Sequence, residues 1–270
     1  IDHARLQAGY GQFEGRDVRR LVMDEFALYK GHRYATVVMD ARTMRILWVG
    51  EGNSRADIRP FFEALGPEGC KRIEAVAMDM NSAFDLEVQK HCPQAEVVYD
   101  LFHVVARFGR DVVDRVRIDQ ANELRKEPKA RQVIKRSRWL LLRNRDNLDE
   151  GQAVRLNDLL SANEPLAKVY LLKTALKELW FAPTVREGRK RWKEWFRLAI
   201  DSGLAPAIQF AKRLRKYLRG ILASALFPMN SSILEGVNNK IKVIKRMAYG
   251  FRDSAYFFLK IKAAFPGKAR

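Results

Sequence analysis

Four short apolar runs in the sequence each close on an aspartate: LVMD at Asp24, VVMD at Asp40, VAMD at Asp79 and VVYD at Asp100. A fifth acid, Glu235, stands among cations in NSSILEGVNNKIKVIKRMAYGF, residues 230–251. Carboxylates that converge on one point repel and raise one another's pKa unless a cation holds them. A hard divalent ion with oxygen ligands resolves that conflict. Two such ions roughly 4 Å apart can activate an attacking oxygen and stabilise a leaving one in phosphoryl transfer. The competing reading is structural, because an aspartate after a strand caps the next turn or helix. Asp40 is expected to serve its hairpin turn. Ser232, Ile233, Leu234 and Glu235 also fit a capping box. Glu25 follows Asp24 directly and so alternates to the other side of a strand.

Which acids become neighbours depends on the elements that carry them. RLVMD (20–24), YATVVMD (34–40) and RILWVGEG (45–52) read as three antiparallel strands joined by short turns. SRADIRPFFEALG (54–66) reads as a helix capped by Ser54 and ended by Gly66. IEAVAMD (73–79) is a buried strand, SAFDLEVQKHC (82–92) a helix stopped by Pro93, and AEVVYD (95–100) another buried strand. A further helix begins at about Leu101. Helical connections between the later strands require parallel pairing. The order β-β-β-α-β-α-β-α is that of an α/β protein with the mixed five-stranded sheet of the ribonuclease H-like fold. Its first strand is central and its fourth pairs parallel beside it, so Asp24 and Asp79 would present carboxylates to one point. At about 100° per residue, Ile233, Leu234, Val237, Ile241 and Ile244 share one sector of the last region. Glu235, Asn239, Lys242 and Arg246 gather on the opposite side. From about residue 105 to 250 helical periodicity dominates, a large all-helical insertion before the helix that carries Glu235.

The 270 residues carry a net charge of +18, with 47% apolar and 30% charged residues. That is a globular composition. Such a cationic excess repels itself and suggests a polyanionic partner, nucleic acid before anionic membrane. The basic residues are spread over many helices rather than set beside one apolar anchor. Two cysteines, Cys70 and Cys92, are too few for a zinc cluster or a disulfide framework. No apolar run approaches the roughly 18 residues of a spanning helix, and no signal peptide is visible.

The blocks DEFALYKGHRYATVVMD, VAMDMN, YDLFHVV and LEGVNNKIKVIKRMAYGFRD resemble the bacterial insertion-sequence transposases of the ISL-three group. These are DDE enzymes with a ribonuclease H-like catalytic core, and the resemblance runs from about residue 16 to about residue 262. It implies that Asp24, Asp79 and Glu235 are the catalytic acids and hold two Mg²⁺ (or Mn²⁺) ions. Asp100 and His103 resemble a supporting D-x-x-H element. The implied catalytic core comprises residues 16–108 and 228–265, the helical insertion domain residues 109–227, and residues 1–15 the remnant of an upstream linker. The implied reaction cleaves DNA at an element end and transfers the freed 3′-hydroxyl to a target. The partners would be double-stranded DNA and, once assembled on it, further copies of the chain, in the bacterial cytoplasm at the nucleoid. Members of the group usually carry an N-terminal zinc-binding and helix-turn-helix region. No such segment stands ahead of Arg16 in this sequence, so the expectation is a catalytic core or a truncated copy, with specific end recognition impaired.

Lys30, His32 and Arg33 after the first strand, and Asn239, Lys240, Lys242, Lys245 and Arg246 after Glu235, are candidate nucleic-acid contacts. Phosphate contacts of this kind give affinity and salt dependence, not sequence reading. A solvated helix face is the plainer account of each basic run, including GRKRWK (188–193) and KRLRKYLR (212–219). Trp192, Trp195 and Phe196 have core spacing. Two other functions stay open from residues alone: another ribonuclease H-like nuclease, and a non-catalytic DNA-binding protein whose acids cap turns.

Overall fold

The structure, a computed structural model, describes residues 2–13, 17–29, 31, 33–229, 232–248 and 250–268, without the side chains of residues 232–235. Two compact units divide it, one formed by residues 1–100 and 227–270, the other by residues 101–226.

In the first unit, runs of Val, Met, Ala and Ile favour extended chain because their side chains pack on a pleated surface. They form β1 (Arg20–Tyr29), β2 (Arg33–Asp40), β3 (Ile46–Glu51), β4 (Ala75–Met78) and β5 (Glu96–Tyr99), in the order β3-β2-β1-β4-β5. The β1–β2 and β2–β3 pairs are antiparallel, and the β1–β4 and β4–β5 pairs are parallel. This mixed sheet with its helical crossovers is the ribonuclease H-like arrangement. Its central strand is β1, where Leu21, Val22 and Met23 are fully buried. Each such side chain contributes roughly 1.5–3 kcal/mol by leaving water.

The helices of this unit are α1 (Asp2–Tyr10), α2 (Arg55–Arg72), α3 (Ser82–His91), α13 (Ser232–Met247) and α14 (Ser254–Ala264). Ser54 and Asp57 form a reciprocal capping box at the start of α2, as the Ser54 cap required. Gly66 does not end that helix. It breaks it with a φ of 70°, and the chain resumes helix to Arg72. Pro67 can follow because a helix's first turn needs no proline N–H. Two helical segments therefore act as one crossover into β4. Between α2 and α3, the fully buried Glu87 accepts from Arg55 Nε at 2.8 Å and from Arg59 Nε at 3.3 Å. Burial alone would raise the Glu87 pKa, but hydrogen bonds from Arg59 and Arg55 win and bring it down to about 2.

Faces of the sheet follow from alternation. Val22, Asp24, Phe26 and Leu28 share one face of β1. Phe26 meets Phe257 of α14 edge-on at 6.2 Å. Met23 and Glu25 share the other face with Trp48, which packs near Phe61 of α2 at 6.2 Å. So α14 covers the Asp24 face and α2 the Glu25 face.

The second unit is helical throughout. It contains α4 (Leu101–Phe108), α5 (Asp114–Glu123), α6 (Pro128–Arg136), α7 (Arg138–Leu142), α8 (Glu150–Ala162), α9 (Glu164–Glu178), α10 (Val185–Asp201), α11 (Ala205–Leu214) and α12 (Leu218–Leu222). A π-helical segment, Gly109–Val113, joins α4 to α5. Trp195 is 1% exposed and donates from Nε1 to Leu172 O at 2.9 Å. Trp192 is also buried, so both tryptophans are core. Lys173 is buried too and donates to Leu141 O at 2.5 Å and Arg143 O at 2.8 Å. Those carbonyls close α7, where a cation suits the helix dipole. Burial, helped by Lys177, pulls the Lys173 pKa from 10.5 to about 7.

Candidate active site

Asp24 is the fifth residue of a ten-residue strand, not its last. Pairing with β2 continues past it, through Asp24↔Val37 and Phe26↔Ala35 to Tyr29↔Arg33. In the sequence the apolar run ends at Asp24, where a charge interrupts it. Cross-strand pairing carries the backbone through that interruption. Asp24 is therefore a buried carboxylate, 3% exposed, and burying a charge is costly unless it is compensated.

Asp79 comes beside it through register. Met23 pairs with Met78 across the parallel β1–β4 ladder, and each is followed by its aspartate. Neighbouring strands lie roughly 4.8 Å apart, and in-register residues share a face. Asp79 Oδ1 accepts from the Met80 amide at 2.6 Å. Asp24 Oδ1 accepts from the Glu25 amide at 2.8 Å. Glu25 itself turns to the far face and accepts from Asn53 Nδ2 at 2.7 Å.

The third element is α13. Its Asn238 donates from Nδ2 to Asp24 Oδ2 at 2.6 Å. Its Val237 and Ile241 are buried, as the apolar sector required. Lys245 donates to Leu28 O and, at 3.4 Å, to Ala27 O. The helix is thus fastened along β1 on the Asp24 face. Glu235 lies within α13, three residues before Asn238. Its side chain, and with it the capping-box alternative at Ser232, lies outside the described residues.

Asn238 was missed in the sequence. It falls between the apolar sector and the polar one, so the wheel gave it no role. Its proximity to Glu235 was the available signal. Its Oδ1 is buried and has no hydrogen-bond partner among the described residues. Because Asp24 accepts from Nδ2, the amide is oriented with oxygen away from that bond.

Asp100 reaches the same end of the sheet, because Tyr99 pairs with Met78 across the parallel β4–β5 ladder and each is followed by its aspartate. Asp100 is buried, and its amide donates to Met78 O at 2.9 Å at the end of β4. His103 belongs to α4 in the second unit, with its ring 5.8 Å from that of Phe102. The Arg33 guanidinium lies over the Tyr29 ring at 4.9 Å. Lys240 donates to Ala264 O at 2.6 Å and lies over the Phe265 ring at 4.6 Å. Arg246 donates to Lys242 O on its own helix at 3.4 Å. Asn239 and Lys242 are exposed. Lys30 and His32 lie outside the described residues. Asp40, by contrast, holds its turn: it accepts from the Arg42 amide at 2.9 Å and Thr43 Oγ1 at 2.8 Å.

Among the described residues no group of three or more His, Cys, Asp or Glu side chains forms a metal cluster. The described pair, Asp24 and Asp79, offers hard oxygen donors, and the partnerless Asn238 oxygen lies on the same side chain that bonds Asp24. That chemistry fits Mg²⁺ or Mn²⁺ and not a soft metal. No helix among the described residues is long and apolar enough to cross a membrane.

The class the fold and site define is a ribonuclease H-like α/β protein in which Asp24 and Asp79 follow paired residues of β1 and β4 and α13 is laid across β1. The particular family follows from comparison. A family model described as "Transposase", of the DDE ISL3 type, matches residues 21–261. The chain belongs to this family of transposases. It is 58% identical over 270 residues to the transposase for insertion sequence element IS1001 of Bordetella parapertussis, covering all of this chain and 66% of that protein. It is 29% identical over 259 residues to the transposase for insertion sequence element IS1557 of Mycobacterium tuberculosis, covering 88% of this chain and 58% of that protein. The chain thus spans somewhat less than two thirds of the length of these relatives. Membership of a DDE family implies use of a divalent metal in general.

Proposed function

We propose that this chain is the catalytic part of a DDE transposase, which cleaves DNA at the ends of an insertion sequence and joins the freed 3′-hydroxyl to target DNA. The carrying observation is the register of the parallel β1–β4 pair, which sets Asp24 beside Asp79 on the face crossed by α13. The family match supports the same reading. Asp24, Asp79 and Glu235 are the acids that would hold two Mg²⁺ or Mn²⁺ ions. When bound, such ions activate the attacking oxygen and neutralise charge on the phosphate and the leaving oxygen.

The chain's own contribution is placement. The central strand fixes Asp24 in a buried, hydrogen-bonded position, so its carboxylate needs little reorganisation during reaction. Glu235 stands three residues before Asn238 in α13. Residues 16–108 and 228–265 act as the catalytic core, and residues 109–227 as an insertion domain. Asp100 and His103 support the site. Arg33, Lys242 and Arg246, with Lys30, His32, Asn239, Lys240 and Lys245, contact DNA phosphates. Lys240 and Lys245 would have to exchange their carbonyl partners for phosphate. The protein works on double-stranded DNA at the nucleoid, as a homo-oligomer once assembled on that DNA.

The test mixes the protein with a labelled duplex ending in the element's terminal repeat, a supercoiled plasmid and Mg²⁺. Cation-dependent joining of label to plasmid is the expected result. Cation-dependent nicking without joining would identify a nuclease. DNA binding with neither would leave the acids as turn residues.

A further inference from the structure

We infer that Asn238 is a working member of the cation site: its amino group positions Asp24, and its carbonyl oxygen faces the cation. The inference rests on the proposed metal-dependent reading and adds a residue to it. Three observations carry it. Asn238 Nδ2 donates to Asp24 Oδ2 at 2.6 Å, a short bond to the acid on the central strand. The same side chain's Oδ1 is buried and has no donor among the described residues. Finally, α13 is held in place independently of this bond. Val237 and Ile241 are buried, and Lys245 bonds to the β1 carbonyls of Ala27 and Leu28.

The orientation is not arbitrary. An ionised carboxylate accepts only, so it selects the amino end of the amide. The oxygen is thereby turned away from Asp24 Oδ2 while staying within one amide group's width of it. A buried acceptor left without a partner is uncommon and calls for a cause. If the helix needed only an anchor on β1, a lysine or a second hydrophobe would serve, and Lys245 already does. An amide differs in offering one donor and one acceptor together. The donor restrains a co-ligand, and the acceptor supplies a neutral oxygen. Adding an oxygen without charge tightens cation binding without increasing repulsion between Asp24 and Asp79 when the cation leaves. Divalent cations of this kind accept carboxamide oxygens as well as carboxylates. Partners that orient a ligand are typically worth 10–100-fold in metal affinity.

The test reads metal affinity rather than turnover. Mn²⁺ is titrated into the full chain and followed by loss of the free-ion EPR signal, for wild type, N238A, N238L, N238D and D79N, with thermal melts of each. The inference expects N238A and N238L to weaken Mn²⁺ binding by roughly tenfold or more. N238D keeps an oxygen at that position and gains a charge. It should melt lower than wild type without metal, bind Mn²⁺ at least as tightly as N238A does, and show a larger Mn²⁺-induced rise in melting temperature. Mn²⁺ affinity within about twofold of wild type in folded N238A and N238L, with loss in D79N, would overturn the inference and leave the metal reading standing. Wild-type affinity in D79N as well would overturn both.

Discussion

Two near-identical tetrapeptides, VVMD at Asp40 and VAMD at Asp79, end in opposite parts of the sheet. The difference is strand direction. Because β4 runs parallel to β1, Asp79 arrives beside Asp24. Because β2 runs antiparallel, Asp40 pairs with Leu21, near the start of β1. There it accepts from Arg42 and Thr43 and completes a turn. The same local sequence thus yields a candidate metal ligand in one place and a turn cap in another. Chemistry in this fold comes from which residues the topology makes neighbours.

The contrast can be broken by amide substitution. D24N and D79N keep shape and lose charge. Each should lower strand joining by about 10³-fold or more, the equivalent of the several kcal/mol a metal site supplies in the transition state. D40N should leave joining per folded molecule unchanged. A comparable loss in D40N would end the distinction.

A third buried acid sharpens it. Glu87 is held by the guanidinium groups of Arg55 and Arg59, with the ring of His91 at 3.2 Å. That arrangement is self-sufficient. E87Q should therefore cost stability, roughly 2–3 kcal/mol, below the usual figure for a broken buried pair because the arginines are partly solvated. Its folded pKa of about 2 lies below the ordinary 4.5. The Glu87 contribution is then fully present above pH 4.5 and is lost as pH falls towards 2. Acid unfolding curves of wild type and E87Q should converge in that window.

Removing the turn acceptor is a smaller change. D40A should cost about 1–2 kcal/mol, the usual worth of a capping side chain, read as a fall in denaturation midpoint with joining retained. The buried Lys173 in the helical unit gives the most condition-dependent effect, small near pH 7 and growing above it. Its folded pKa of about 7 lies below 10.5. The folded state thus binds fewer protons in between, and stability rises with pH across that interval. K173M should flatten the rise by up to about 1.4 kcal/mol per pH unit. An unchanged slope would mean the ammonium is solvated.

Much of this was legible in the sequence. Three strand-like runs without helices between them, then two with helices, dictate a mixed sheet with β1 central. Asp24 and Asp79 follow from that order. The length of β1 was not legible, because EFALY carries an acid and reads as a break until β2 pairs with it. The role of Asn238 was hidden for a related reason. A helical wheel ranks faces by apolar content, yet the face of α13 on β1 includes Asn238 and Lys245, whose polar ends find carboxylate and carbonyl partners on the strand. Lys173 was invisible for the same cause: in KVYLLKTALK a lysine reads as surface, and only the open carbonyls at the end of α7 explain its burial. Gly66 looks like a stop in the sequence, although a positive φ followed by proline permits a kink and a restart.

The central claim is that Asp24 and Asp79 share a divalent cation while Asp40 does not. Calorimetric titration of Mg²⁺ into wild type, D24N, D79N and D40N tests it most directly. The account predicts binding in wild type and D40N and its loss in D24N and D79N. Equal binding by all four would contradict it.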